Sequence, residues 1–340
     1  MKLITFAVPC YNSAAYMRKC IESILPGGED IEIIIVDDGS TDDTGRIADE
    51  YQEMYPEIVR VVHQQNGGHG EGVNQGLRNA TGLYYKVVDS DDWLDADAYC
   101  KALKHLRTFS QMEHPVDMMV CNYVYEHVED DTRHVVHYRR IIPRGQVCSW
   151  QDVGWFPPSQ YLLMHSVIFR TQILRDAHLE LPKHTFYVDN LFVFTPLPLV
   201  KSIYYLDVDL YRYFIGRSDQ SVTEDNIIRR IDQQLLVTRK IISMYDFSAI
   251  KEENRRLYRY MVHYCSIMMT VPSMFLTLSG TEEHLQKRRE LWEYLYSLDA
   301  KLYRRLRYLT PNVAFVLPGK AGRAMDVAGY RITRRFIKFN

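Results

Sequence analysis

The chain has 340 residues, 46% of them apolar and 25% charged, with a formal net charge of −2. That composition fits one large globular domain, or a domain plus an extension, and excludes a low-complexity or intrinsically disordered chain. The near-neutral total hides an asymmetry: residues 301–340 hold ten basic residues against the single acid Asp326, a formal +9, which leaves −11 on the first 300.

In chain order, Lys2–Phe6 lacks the long apolar core of a leader. Leu3–Val8 is an apolar run stopped by Pro9 and predicts a buried strand. Asn12-Ser13 can cap a helix with Tyr16, Cys20, Ile21 and Ile24 on one face. Ile31–Val36 predicts a second strand, and Ser40 or Thr41 can cap a helix carrying Ile47, Tyr51 and Met54. Ile58–Val62 is a third strand, Gly67-Gly68-His69-Gly70 opens a helix with Val73 and Leu77, and Tyr84–Val88 is a fourth strand. Strict alternation implies an α/β fold with a mostly parallel sheet and helices on both faces. Further on, Val116–Val124 predicts a strand, and His134–Tyr138 with Ile141-Ile142 a hairpin arm. Gln160–Phe169 leads into a short helix at Thr171–Ala177, and residues 204–215 form a tyrosine-dense strand. From Thr223 the pattern is helical, with Leu257, Met261, Tyr264 and Met268 on one core-facing stripe. The boundaries are therefore 1–222 for the α/β domain and 223–340 for a helical extension with a basic tail.

The six cysteines (Cys10, Cys20, Cys100, Cys121, Cys148, Cys265) form no C-x-x-C pair and read as reduced thiols, which points to a cytoplasmic protein. No run of 18 apolar residues exists; the nearest, Cys265 to Leu278, contains Pro272, so no membrane span is expected.

The polar clusters Pro9–Asn12, Asp37–Thr41, Asn66–Gly70 and Asp89–Trp93 all follow predicted strands, and ligands of open α/β sheets bind at those carboxyl ends. The last cluster places Asp89, Asp91 and Asp92 within four positions. Like charges about 4 Å apart repel by roughly 4 kcal/mol at an effective dielectric near 20, so a cation among them relieves a real cost. Side chains at i and i+2 of an extended segment point the same way, so Asp89 and Asp91 can converge on Mg²⁺ or Mn²⁺. The competing reading is a solvated acidic turn in which Asp91 or Asp92 caps a helix.

These stretches resemble the family 2 glycosyltransferases of the GT-A fold: Val8-Pro9-Cys10-Tyr11-Asn12, Val36-Asp37-Asp38-Gly39-Ser40-Thr41-Asp42, Asn66-Gly67-Gly68, Ala80-Thr81-Gly82 and Val87-Val88-Asp89-Ser90-Asp91-Asp92 occur in that family's order. The resemblance is strong over residues 1–110 and fades after about 225. It implies a loop under the nucleotide base at Pro9, Tyr11 and Asn12, a base-reading carboxylate at Asp38, and donor contacts at Asn66, Gly68 and Ser90. It also implies a metal held by Asp89 and Asp91, a catalytic base at Asp189 in Tyr187-Val188-Asp189-Asn190, a histidine near the sugar or diphosphate at His165, and a closing loop with Arg217, Gln220 and Ser221. Two departures stand out. Glu71-Gly72-Val73-Asn74 occupies the place of a diphosphate-contacting arginine, for which Lys86, His69 or Arg217 can substitute, and Val188 replaces a glutamate beside Asp189. With the ion on Asp89 and Asp91, Asp92 is left as a helix cap or an acceptor-side contact.

The implied activity is inverting, metal-dependent transfer from a nucleotide-diphospho-sugar, UDP-linked, to a glycan or lipid-linked acceptor in cell-surface polysaccharide synthesis. The alternative is a sugar-nucleotide-binding module without catalysis. In the tail, Tyr303, Leu306, Tyr308 and Leu309 interleave with Arg304, Arg305 and Arg307, as at the inner face of a membrane or on a solvated basic helix. No nucleic-acid reader module accompanies that charge, and the tyrosine-rich helices offer a homodimer face. An aspartyl phosphatase is disfavoured because the first strand leads to Pro9-Cys10-Tyr11 rather than to an aspartate.

Overall fold

Two kinds of apolar pattern, continuous runs early and helical stripes late, become two units in the computed structural model, which describes residues 2–127, 131–216 and 224–316 and the single positions 322, 327 and 331. One unit comprises residues 1–154 and 162–216, the other residues 155–161 and 217–340.

In the first unit the strands are β1 (Ile4–Cys10), β2 (Ile31–Asp37), β3 (Val59–His63), β4 (Tyr84–Val87), β5 (Trp93–Leu94), β6 (Met118–His127), β7 (Thr132–Val136), β8 (Val147–Cys148), β9 (Val167–Arg170) and β10 (Ile203–Ile215). The helices are α1 (Met17–Ile24), α2 (Thr44–Met54), α3 (His69–Asn79), α4 (Ala96–Ser110), α5 (Thr171–Asp176) and α6 (Asp189–Phe194). One mixed sheet runs in the order β3-β2-β1-β4-β9-β6-β10-β5, with β7 on β6 and β8 on β10. The β1–β2, β1–β4, β2–β3 and β6–β10 pairs are parallel, while β9 runs antiparallel to both β4 and β6. Every residue of β1 and β2 is buried, which is why they are apolar runs rather than alternating patterns: helices cover both faces. Four parallel strands thus deliver their carboxyl-end loops to one edge.

The caps differ from those expected. The Ser40 amide bonds Asp37 at 3.1 Å and the Thr41 amide bonds Asn12 at 2.9 Å, so these residues knit two loops together, and α2 starts later with Asp43 at its N-cap. Ser13 is likewise spent on Thr44, and α1 begins at Met17. Neither Asp91 nor Asp92 caps α4; Asp95 does, accepting from the Ala98 amide at 3.0 Å.

The second unit contains α7 (Glu224–Arg229), α8 (Ile231–Ser243), α9 (Phe247–Glu253), α10 (Arg255–Ser279), α11 (Glu282–Leu298) and α12 (Ala300–Tyr308). Asn254 caps α10 through its side chain, and Gly280 ends it in the left-handed conformation. Leu257, Met261, Tyr264 and Met268 are buried, as the stripe predicts. Contrary to the reading of the sequence, α10 is long and apolar enough to cross a membrane, with a mean hydropathy of 1.4 over 18 residues; 67% of that window is buried within the protein, as in a core helix. The segment 155–161 packs on α10: the Phe156 ring lies 4.5 Å from that of Tyr260, Tyr161 is edge-on to Tyr264, and His263 Nε2 bonds the Gln160 carbonyl at 2.8 Å.

Candidate active site

The loops at the sheet edge are tied to one another before any ligand is considered. Asn12, at φ 49°, accepts from the Thr41 amide, and its own amide bonds Ser40 Oγ at 3.0 Å. Pro9 ends within β1, and Tyr11 beside Asn12 leaves its ring 55% exposed. Asp38 is buried, and its carboxylate accepts from the Gly67 and Gly68 amides at 2.7 Å each and from Gln64 Nε2 at 2.6 Å; Asn66 Nδ2 bonds its carbonyl at 3.0 Å. The expected base reader therefore holds the Asn66–Gly68 loop instead. Gly68 sits at φ +82°, and a Cβ there would lie 2.9 Å from the His184 amide nitrogen, so only glycine lets the 182–187 segment close on this loop.

The acidic cluster is anchored by β10. Tyr211 donates its hydroxyl to Asp92 at 2.5 Å and accepts from the Asp89 amide at 3.1 Å, while the Phe214 amide donates to Asp92 at 2.8 Å. Burial, and then the charges of Asp91 and Asp89, push the Asp92 carboxyl well above the usual range. Asp92 is thus a buried strut, not a helix cap. His69, the first residue of α3, places Nε2 2.8 Å from Asp89. Burial disfavours the His69 proton, but the Asp89 carboxylate outweighs it and the histidine is raised. Conversely, burial lifts Asp89 while His69 pulls it down further, for a net lowering. Ser90 Oγ lies 2.8 Å from Ser13 Oγ and joins the cluster to the first loop.

His165 is pushed down to about 4, chiefly by burial, between the rings of Tyr211 and Tyr213, each 4.7 Å away; its Nδ1 is buried with no hydrogen-bond partner among the described residues. Asp189 opens α6. Burial lifts its carboxyl to about 6; His69 opposes the rise and Asp89 adds to it, so all three share one field. Side-chain ligand atoms of Asp89, Asp92 and His165 lie within 4.8 Å of one another. The donor set of carboxylates and an imidazole with a buried orphan nitrogen suits Mn²⁺ or Mg²⁺. Both oxygens of Asp92 are already engaged by Tyr211 and the Phe214 amide, and the half-buried Asp91 is not among the three converging groups.

Lys86 does not reach this edge. It is fully buried, its Nζ donates to the carbonyl of His165 at 2.8 Å, and burial lowers it to about 8, so the expected diphosphate contact is corrected to a strut under the His165 turn. Glu71, where the arginine was missing, is buried and bonded to Arg78 and Asn74. Arg217, Gln220 and Ser221 lie outside the described residues. Sequence reading missed Tyr211 and Tyr213; the tyrosine density of 204–215 was the available signal, since residues two apart on a strand share a face.

Residues 5–171 match the model of the family described as glycosyl transferase family 2. The chain is 29% identical over 278 residues to EpsH of Bacillus subtilis (strain 168), named as a glycosyltransferase, over 76% of this chain and 71% of EpsH. Among solved structures it resembles S. aureus TarS 1-349 in complex with UDP-GlcNAc, with a TM-score of 0.66 and 20% identity over 97% of this chain and 90% of that one. It also resembles the mannosyltransferase PcManGT from Pyrobaculum calidifontis in complex with GDP-Man and Mn²⁺, with a TM-score of 0.50 and 16% identity over 88% and 86% of the two chains.

Proposed function

This chain belongs to the family 2 glycosyltransferases and has the GT-A fold, and from that premise we propose that it transfers a sugar from a UDP-linked donor to an acceptor hydroxyl with inversion. The observation that carries the reading is Asp189: a carboxyl poised at about 6, outside the cluster fit for a cation yet within its field. In one displacement the bond from the anomeric carbon to the diphosphate oxygen breaks, the acceptor oxygen bonds to that carbon from the opposite face, and the hydroxyl proton passes to Asp189. A divalent cation, when bound, offsets the charge that gathers on the departing nucleoside diphosphate. Asp89 and Asp91 would hold it, with His165 as an adjacent donor. Asp92 and Tyr211 fix the backbone of that turn, and His69, bonded to Asp89, substitutes for the arginine whose place Glu71 takes. Tyr11 offers an exposed ring to the base, and Asn12, Asn66 and Gly68 shape the loop around it. A nucleotide-sugar is present in both structural neighbours, and Mn²⁺ in one.

The acceptor is a glycan or lipid-linked intermediate of surface polysaccharide synthesis, met at the inner face of a membrane through the basic tail 301–340. Pairing of two copies through the tyrosine-rich helices is part of the same proposal. The non-catalytic alternative is disfavoured by the match of residues 5–171 to the glycosyl transferase family 2 model and by the likeness to EpsH.

The test is a thermal-shift panel of nucleoside diphosphates with and without Mn²⁺. The expected result is stabilisation by UDP that needs the metal and is lost in Asp91→Ala. A larger shift with GDP would overturn the donor assignment, and no shift with any nucleotide would overturn the reading.

A further inference from the structure

We propose that the helical unit carries a second saccharide site, a pocket between α11 and α12 that takes an anionic sugar of the acceptor. The word acceptor rests on the transferase reading; the site itself does not. The pocket holds about 340 Å³, at the small end of the roughly 300–1,000 Å³ typical of ligand sites. On α11, Arg288, Arg289, Trp292 and Tyr296 face it; on α12, Tyr303 and Arg307. The four-residue steps from 288 to 292 to 296 and from 303 to 307 put each set on one helix face.

The rings are held as a box. Trp292 is fixed by Nε1 donating to Ser273 Oγ at 3.1 Å. Tyr303 stands edge-on to Trp292 with centroids 6.0 Å apart, and Tyr296 edge-on to Tyr303 at 5.2 Å. The Arg307 guanidinium lies 4.8 Å from the Trp292 ring centroid. Its Nε is buried and has no hydrogen-bond partner among the described residues. Buried donors without partners are rare and call for an explanation, and a ligand acceptor supplies one. Arg289 is paired with Glu282 at 3.2 Å, which leaves Arg288 and Arg307 against the one lining carboxylate, Glu293, so the pocket favours an anion. Guanidinium matches carboxylate and phosphate in a bidentate fork, and flat rings beside it pack on the C–H faces of a pyranose. Phosphate alone has no use for the rings, and an uncharged sugar has none for the arginines.

Calorimetry on the full chain, with the donor site saturated by UDP and Mn²⁺, tests this with glucose 6-phosphate, glucuronate, glucose and inorganic phosphate. At least one charged sugar is expected to bind about tenfold more tightly than glucose or phosphate, and the better of the two identifies the acceptor's anion as phosphate or carboxylate. Tyr296→Ala, at a position 55% exposed, and Arg307→Gln are each expected to weaken that binding about tenfold with UDP affinity and helical content unchanged. Arg307→Lys, which keeps charge but not the fork, is expected to fall between and guards against a folding defect in Arg307→Gln. Phosphate or glucose binding as tightly as the charged sugars would overturn the proposal. So would variants that bind normally, or a Tyr296→Ala effect seen only with anionic phospholipid vesicles. Failure of UDP to bind would sink the donor reading and leave this one standing.

Discussion

At the scale of single residues, the site is decided by who already owns each lone pair. Asp189 has burial against its charge, so its ordinary carboxylate value rises to about 6. A base works only when ionised, so turnover is expected to be level above that pH and to fall about tenfold per pH unit well below it. The profile of kcat/KM against pH checks this; an acid limb near 4 would remove Asp189 from the role. Asp38 makes the opposite case. Its carboxylate accepts two backbone amides at 2.7 Å, and hydrogen bonds to a charged partner contribute roughly 1.5–3 kcal/mol each. Asp38→Asn keeps one acceptor and turns an N–H₂ toward a donor. The expected loss is about 2 kcal/mol or more in urea unfolding, with UDP affinity falling as a consequence. Undiminished stability with lost UDP binding would restore the base-reading role.

At the scale of elements, β1 and α3 pack so closely that Gly72 and Gly76 are compulsory; a Cβ on Gly72 would lie 2.9 Å from Pro9 Cβ. A Cβ on Gly76 would lie 2.5 Å from Ala7 Cβ and 2.7 Å from the Tyr85 hydroxyl, which itself donates to the Val73 carbonyl. On an exposed helix Gly→Ala gains about 1 kcal/mol; here overpacking costs roughly 1–3 kcal/mol and tilts the Gly67–His69 turn. Gly76→Ala is expected to lower stability and nucleotide affinity together, and a stabilised variant would show that α3 has room to move. The strand-end loops were legible because each is local: an apolar run, then Pro9, Asp37, Asn66 or Asp89. The caps misled because Ser40 and Thr41 carry cap chemistry but bond across to neighbouring loops. The Tyr211–Asp92 strut joins residues 119 apart, and no local pattern announces a pair of that separation. Lys86 read as a donor contact because its place in β4 gives no hint that its tip ends under His165.

At the scale of the whole molecule, two features compete to explain any affinity for a membrane, and they respond to salt in opposite ways. The charge asymmetry is electrostatic: each Lys or Arg near an anionic surface contributes about 1 kcal/mol at most, and the attraction is screened beyond a Debye length of about 8 Å at physiological ionic strength. The apolar helix α10 would act through hydrophobic burial, which salt does not weaken, but 67% of its apolar window is already used inside the protein. The tail is therefore the element with something left to give. Leu302 and Leu306 are buried, which commits α12 to the helical unit. Ending the chain at residue 316 removes six basic residues and Asp326, a formal +5 of the +9. The full chain is expected to sediment with vesicles rich in anionic lipid at about 0.05 M salt and to leave them near 0.5 M. The shortened chain should leave at markedly lower salt with turnover on a soluble acceptor retained. Binding that survives both high salt and the truncation would place the contact in α10 instead and remove the tail from the account.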